Sequence, residues 1–99
     1  MNQLVSRLTK PRLKCGRLFA TPAALEALQA VNVSVGDLLS RHLCGDWGDL
    51  SAEDRAQNDL AFETGLRVLS CYVLPENGKV WIITEWDRSM TTVLLPGDY

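Results

Sequence analysis

Leu66-Arg67-Val68-Leu69-Ser70-Cys71-Tyr72-Val73-Leu74-Pro75-Glu76-Asn77-Gly78-Lys79-Val80-Trp81-Ile82-Ile83-Thr84-Glu85 is the stretch on which the fold turns. Residues 66–74 and 79–85 are rich in β-branched and aromatic side chains, which suit a pleated, half-buried surface. Between them, Pro75-Glu76-Asn77-Gly78 carries the residue types that a reversal demands. The spacing predicts an antiparallel hairpin. Apolar residues fall on both faces of it, with Val80 and Ile82 on one and Trp81 and Ile83 on the other. If helices cover one face, the second needs a cover too: the N-terminal arm, a second subunit or a partner.

Working outward, a second bend at Trp86-Asp87-Arg88-Ser89 leads into a third strand over 90–95, ended by Pro96 and Gly97. Upstream the period changes to a helical one. Thr21-Pro22 is a helix start, because threonine caps free N–H groups and proline has none to lose at the first helical position. A helix over 23–30 follows, with Leu25 and Leu28 as its apolar anchors. Ser34 caps a second helix over about 35–44, where Val35, Leu38, Leu39, His42 and Leu43 form one stripe. Gly45 stops it. Ser51, with Asp54 three residues on, opens a third helix that runs to Thr64 and stops at Gly65, with Ala56, Leu60 and Ala61 as inner residues. The chain therefore reads as one α+β domain: about three helices, then a three-stranded antiparallel meander, with Arg17-Leu18-Phe19-Ala20 available as a short fourth edge strand.

The 99 residues suffice for one core but not for two domains around a cleft. No apolar run approaches the ~20 residues of a membrane span, and no apolar stretch follows the basic N-terminus as a secretory signal requires. Cys15, Cys44 and Cys71 are odd in number and lack a C-x-x-C spacing, so reduced thiols in a cytoplasmic protein are expected, without structural zinc. Charge is divided. Arg7, Lys10, Arg12, Lys14 and Arg17 precede any acid, whereas residues 18–99 carry five basic and twelve acidic side chains, a net of −7. A basic arm over residues 1–16 on an acidic body can meet a phosphate backbone or an acidic protein, or can simply be a loose, solvated terminus.

Three groups of residues are candidates for chemistry. His42 is the sole histidine and the one side chain whose ordinary pKa lies near neutrality. It precedes Gly45-Asp46-Trp47-Gly48-Asp49, whose acids Asp46 and Asp49 can orient an imidazole or accept a partner; a packed corner plugged by Trp47 is the plainer alternative. Thr84-Glu85-Trp86-Asp87-Arg88-Ser89, followed by Thr91 and Thr92, gathers polar groups at one strand end. His42, Arg88 and Thr92 would make a base, a phosphate clamp and a hydroxyl for metal-free RNA cleavage. Asp46, Trp47, Asp49, Glu85, Trp86, Asp87 and Thr91 are the companion binding residues. The alternative for the bend is a hairpin tied by an ion pair of Arg88 with Asp87 or Glu85. Tyr72, Trp81 and Trp86 can offer bases a stacking platform. No metal site or cofactor is expected.

His42-Leu43-Cys44-Gly45-Asp46-Trp47-Gly48, together with Trp81-Ile82-Ile83-Thr84-Glu85-Trp86-Asp87-Arg88 and Thr91-Thr92-Val93-Leu94-Leu95-Pro96, resembles a family of small, mostly uncharacterised bacterial proteins of plasmids and other mobile elements. The likeness spans about residues 17–99 and implies an accessory role on such an element, with no activity to carry over. More distantly, helices before an antiparallel sheet, with a helical histidine and paired threonines in the last strand, is similar to barnase- and RelE-like RNases. Acidic net charge disfavours approach to a polyanion. The reading that follows is an accessory protein that binds and modulates a host or element protein, or pairs with itself. An RNase-like enzyme and a nucleic-acid binder using the basic arm are the alternatives.

Overall fold

The computed structural model describes residues 12–99 of the chain. In order these form β1 (Arg17–Ala20), α1 (Pro22–Ala30), α2 (Val35–Leu43), α3 (Ala52–Thr64), β2 (Val68–Val73), β3 (Lys79–Thr84) and β4 (Met90–Leu94). The fold is α+β, as the sequence pattern predicts. Each helix begins on its expected cap. The Thr21 hydroxyl accepts from the Ala24 N–H at 3.1 Å, Ser34 from Asp37 at 3.2 Å, and Ser51 from Asp54 at 3.1 Å. Such a cap contributes ~1 kcal/mol by pairing an amide that the helix leaves free. Gly65 ends α3 in the left-handed conformation, at φ 73°.

The sheet order is β1-β4-β3-β2. β2, β3 and β4 form the antiparallel meander, with Ser70 opposite Ile82 and Ile82 opposite Val93. The fourth strand adds a feature the meander does not imply. β1 lies parallel to β4, pairing Leu18 with Thr91 and Ala20 with Val93, so the sheet is mixed. The connection from β1 to β4 carries every helix, and a parallel pair needs such a long crossover.

One face of the sheet and the helices enclose the main core of Ala24, Leu28, Leu38, Tyr72, Leu74, Val80, Ile82 and Val93. A second cluster of Leu13, Trp47, Ala61 and Val68 lies beside it, backed by Leu43, Leu50 and Phe62. Two expected anchors point elsewhere. Leu25 and Leu60 are exposed, and Ala56 is exposed as well. α1 instead packs through Ala24 and Leu28, while α3 turns Asn58 and Ala61 inward. Helical spacing alone allows either rotation; for α3 the hydrogen bonds of Asn58 with the Leu69 backbone decide it.

On the opposite sheet face Cys71, Ile83 and Leu94 are buried, and the Tyr99 ring meets Trp81 edge-on at 6.0 Å. The aromatic platform does not form. Cys71 and not Tyr72 pairs with Trp81, so Tyr72 faces the core from the other side, and Trp86 stands alone in the bend at 65% exposure. Among the described residues no helix is long and apolar enough to cross a membrane.

Candidate functional site

His42 sits in the last turn of α2, fully buried against the sheet. Its Nδ1 lies 2.6 Å from Ser70 Oγ on β2, and its Nε2 lies 2.8 Å from Thr84 Oγ1 on β3. Thr84 Oγ1 is 2.8 Å from Thr91 Oγ1 on β4, and the Thr91 hydroxyl donates to the Cys15 carbonyl at 2.7 Å. That carbonyl can only accept, so it fixes the proton order of the whole chain. Thr91 spends its proton on Cys15 and accepts from Thr84. Thr84 has then spent its own, so His42 Nε2 must donate to it. Nδ1 is left as acceptor, and the Ser70 hydroxyl donates to it. His42 is thus a neutral Nε2–H imidazole. Burial, reinforced by the Arg88 charge, pushes its pKa down to about 4.

Arg88 occupies the bend before β4 with φ 59°. The expected ion pair is not what holds its guanidinium. Nη1 donates to the carbonyls of Leu66 (2.6 Å) and Glu85 (3.1 Å), and Nη2 to those of Ala61 and Phe62, each at 3.3 Å. These include carbonyls in the last turn of α3, where the dipole favours a cation. Arg88 thus acts on His42 through its charge and not through a hydrogen bond, whereas Thr91 belongs to the hydrogen-bonded network of His42. Thr92 does not: it pairs with Ile83, on the sheet face away from His42.

The loop Gly45–Asp49 runs along the outer edge of β2. Trp47 carbonyl accepts from Cys71 N–H at 3.1 Å, Asp49 N–H donates to Cys71 carbonyl at 2.6 Å, and the Asp49 carboxylate accepts from Val73 N–H at 2.9 Å. Asn58 continues the seal. Its amide oxygen accepts from Leu69 N–H at 3.1 Å, and its amide nitrogen donates to Leu69 carbonyl at 2.6 Å. One side chain here stands in for a neighbouring strand. Gly48 makes the approach possible: at φ 78°, a Cβ would lie 2.2 Å from Cys71 O and 2.7 Å from the Tyr72 ring.

Trp47 is buried edge-on to His42 at 5.7 Å, and its indole N–H donates to Asp59 at 2.8 Å. Asp46 faces outward, where Arg41 Nε at 2.7 Å holds its carboxyl below the usual range. The Asp46 carbonyl takes the Tyr72 hydroxyl at 2.6 Å, and burial pushes the Tyr72 pKa up to about 12. Glu85, Trp86 and Asp87 follow Thr84, the partner of Val68, and the backbone of the Gly45–Asp49 loop meets β2 at Cys71 and Val73, while the Trp47 side chain packs back against Val68.

Of the basic residues, Arg7 and Lys10 lie outside the described residues. Residues 12–16 belong to the packed domain: Arg12 and Leu13 amides donate to Leu43 carbonyl at 2.7 and 2.9 Å, and Leu13 is buried. Arg12 lies over the Phe62 ring and Arg17 over the Phe19 ring, while Lys14 is exposed. β1 contrasts with β2. Arg17 and Thr21 amides donate inward to Ser89 and Val93 carbonyls, both at 2.9 Å. Alternation then turns the amides and carbonyls of Leu18 and Ala20 outward, and among the described residues nothing bonds them. Leu18 and Phe19 are 47% and 42% exposed.

Ser70 and Asn58 carry much of this arrangement and escape the sequence reading, and Thr84 enters it only as part of the polar strand end, without its histidine partner. Their signal is position. Ser70 and Thr84 interrupt the inward alternation Val68, Tyr72 and Val80, Ile82, and polar residues at core positions need a polar partner, which the sole histidine supplies. Set against protein-family models, curated proteins and solved structures, the chain gives no match.

Proposed function

We propose that this chain is a small accessory protein that binds and modulates a protein partner, and that the open β1 side of the sheet is where it binds. The carrying observation is the contrast between its polar groups and its open edge. The imidazole, the hydroxyls around it and the Arg88 guanidinium are all engaged in internal hydrogen bonds. An imidazole with no exposed surface offers no base to a substrate. A strand with outward-facing backbone groups and two half-exposed apolar side chains offers a partner both hydrogen bonds and buried area. Residues 12–99 carry eight basic and twelve acidic side chains, a net of −4, which further supports a protein partner over a polyanion. The H-L-C-G-D-W-G and W-I-I-T-E-W-D-R motifs support a mobile-element setting, and the lack of a disulfide among Cys15, Cys44 and Cys71 supports a reducing compartment.

Two measurements test this reading. RNA cleavage by the wild type and His42→Ala is compared side by side, with no histidine-dependent cleavage expected. Capture of a specific protein by the immobilised full chain is then compared with capture by Phe19→Lys and by Trp86→Lys. Loss with the first variant alone is expected. Cleavage that disappears in His42→Ala, or capture indifferent to Phe19, overturns the proposal.

A further inference from the structure

We infer that the occupant of the β1 edge is a second copy of this chain, paired antiparallel so that Phe19 meets Phe19 on a two-fold axis. The inference rests on the reading that the protein works by association through this edge, and it goes further by naming the register.

The outward-facing residues limit the choice. Only Leu18 and Ala20 present both an amide and a carbonyl within the strand, and Pro22, the next residue of the same parity, has no amide to give. A two-fold register that uses both residues fully places Leu18 opposite Ala20 of the second copy and Ala20 opposite its Leu18. Four backbone hydrogen bonds close, two on each side of the axis. The side chains agree with that register. On the helix-covered face each large Leu18 meets a small Ala20. On the other face the two Phe19 rings meet at a non-hydrogen-bonded pair, where strands bring side chains closest.

Charge agrees as well. Arg17 falls opposite Thr21 of the second copy, whose hydroxyl donates to the Asp98 carboxylate at 2.7 Å. That carboxylate is held below its usual range by the Thr21 and Leu95 hydrogen bonds, so it remains an anion for Arg17 to face. The contact occurs twice by symmetry, as a self-complementary interface requires. Within Arg17–Ala20 no proline or bulge interrupts this edge; its guards are its length of four residues and Arg17, which the two-fold register sets against an anion. Leu18, Phe19, Leu25 and Met90 are 38–47% exposed. Leu18 and Phe19 by themselves offer well under a standard interface side, so weak association is expected.

The test is sedimentation of the full chain from about 1 µM to about 1 mM, with the mass expected to rise from 11.0 kDa towards twice that value. Phe19→Lys, which sets two cations at the axis, should weaken association by at least ~10-fold. Oxidised Phe19→Cys should crosslink to itself, because facing Cα atoms at such a pair lie ~4.5 Å apart. Arg17→Cys should not, because its copies are separated by ~13 Å. A monomer at every concentration, a dimer unaffected by Phe19→Lys, or a Phe19→Cys protein that crosslinks no better than wild type or Arg17→Cys overturns the inference. If the protein is monomeric yet captures a different protein in a Phe19-dependent way, the second copy fails while association through β1 stands. If both are absent, both fall.

Discussion

The two edges of the sheet are finished differently. Along β2, Leu69, Cys71 and Val73 have their outward amides paired by Asn58, Trp47 and Asp49. Along β1, no described residue pairs those of Leu18 and Ala20. Both edges belong to one small sheet, so the difference does not come from strand propensity. It comes from where the chain spends its polar side chains. An unpaired strand edge is a template for another chain, and an asparagine plus a glycine-bounded loop is a compact way to cancel one of the two. The other edge is left without such a seal among the described residues.

The comparison can be broken first at Gly48. Gly48→Ala sets a methyl 2.2 Å from Cys71 O in a backbone conformation that side chains resist. Denaturant unfolding should show a loss of more than about 4 kcal/mol, a size reserved for such collisions. Next is pH. His42 has a folded pKa near 4, below its ordinary 6.5, so the unfolded chain takes up the proton first as pH falls. The stability contributed by neutral His42 is complete above pH 6.5 and declines towards pH 4, by about 3 kcal/mol in all. Unfolding measured across that window should show the slope, and His42→Asn should flatten it.

Asn58→Ala is the third step. It strands the Leu69 amide and carbonyl, and thermal or chemical unfolding should register about 2 kcal/mol. The smallest effect belongs to the other edge. Phe19→Lys should change monomer stability by less than about 1 kcal/mol, since a half-exposed side chain leaves little behind. Hydrogen exchange on dilute protein sharpens the same contrast without mutation: Leu69 and Cys71 amides should be protected, and Leu18 and Ala20 amides should exchange quickly.

Much of this architecture is legible in the sequence. Thr21, Ser34 and Ser51 mark the helix starts, and Pro75–Gly78 marks the hairpin, because caps and turns are local chemistry. The parallel pairing of β1 with β4 is not local, and no periodicity announces which strand Arg17–Ala20 will join. The candidate site shows the same divide. The stripe through His42 places it inward, but its partners Ser70, Thr84 and Thr91 come from three strands. Arg88 stands out as a charge in a bend, yet its partners are backbone carbonyls, which every residue carries and no sequence pattern distinguishes.

The pairing of β1 with β4 has a consequence for synthesis. Leu18-Phe19-Ala20 leaves the ribosome well before Thr91–Val93, the segment that holds it, with all three helices and two strands made in between. Contacts so remote in sequence close slowly, and a nascent chain presents the unmatched segment throughout. Translation speed and chaperone access should therefore matter more to the yield of this protein than its short length implies.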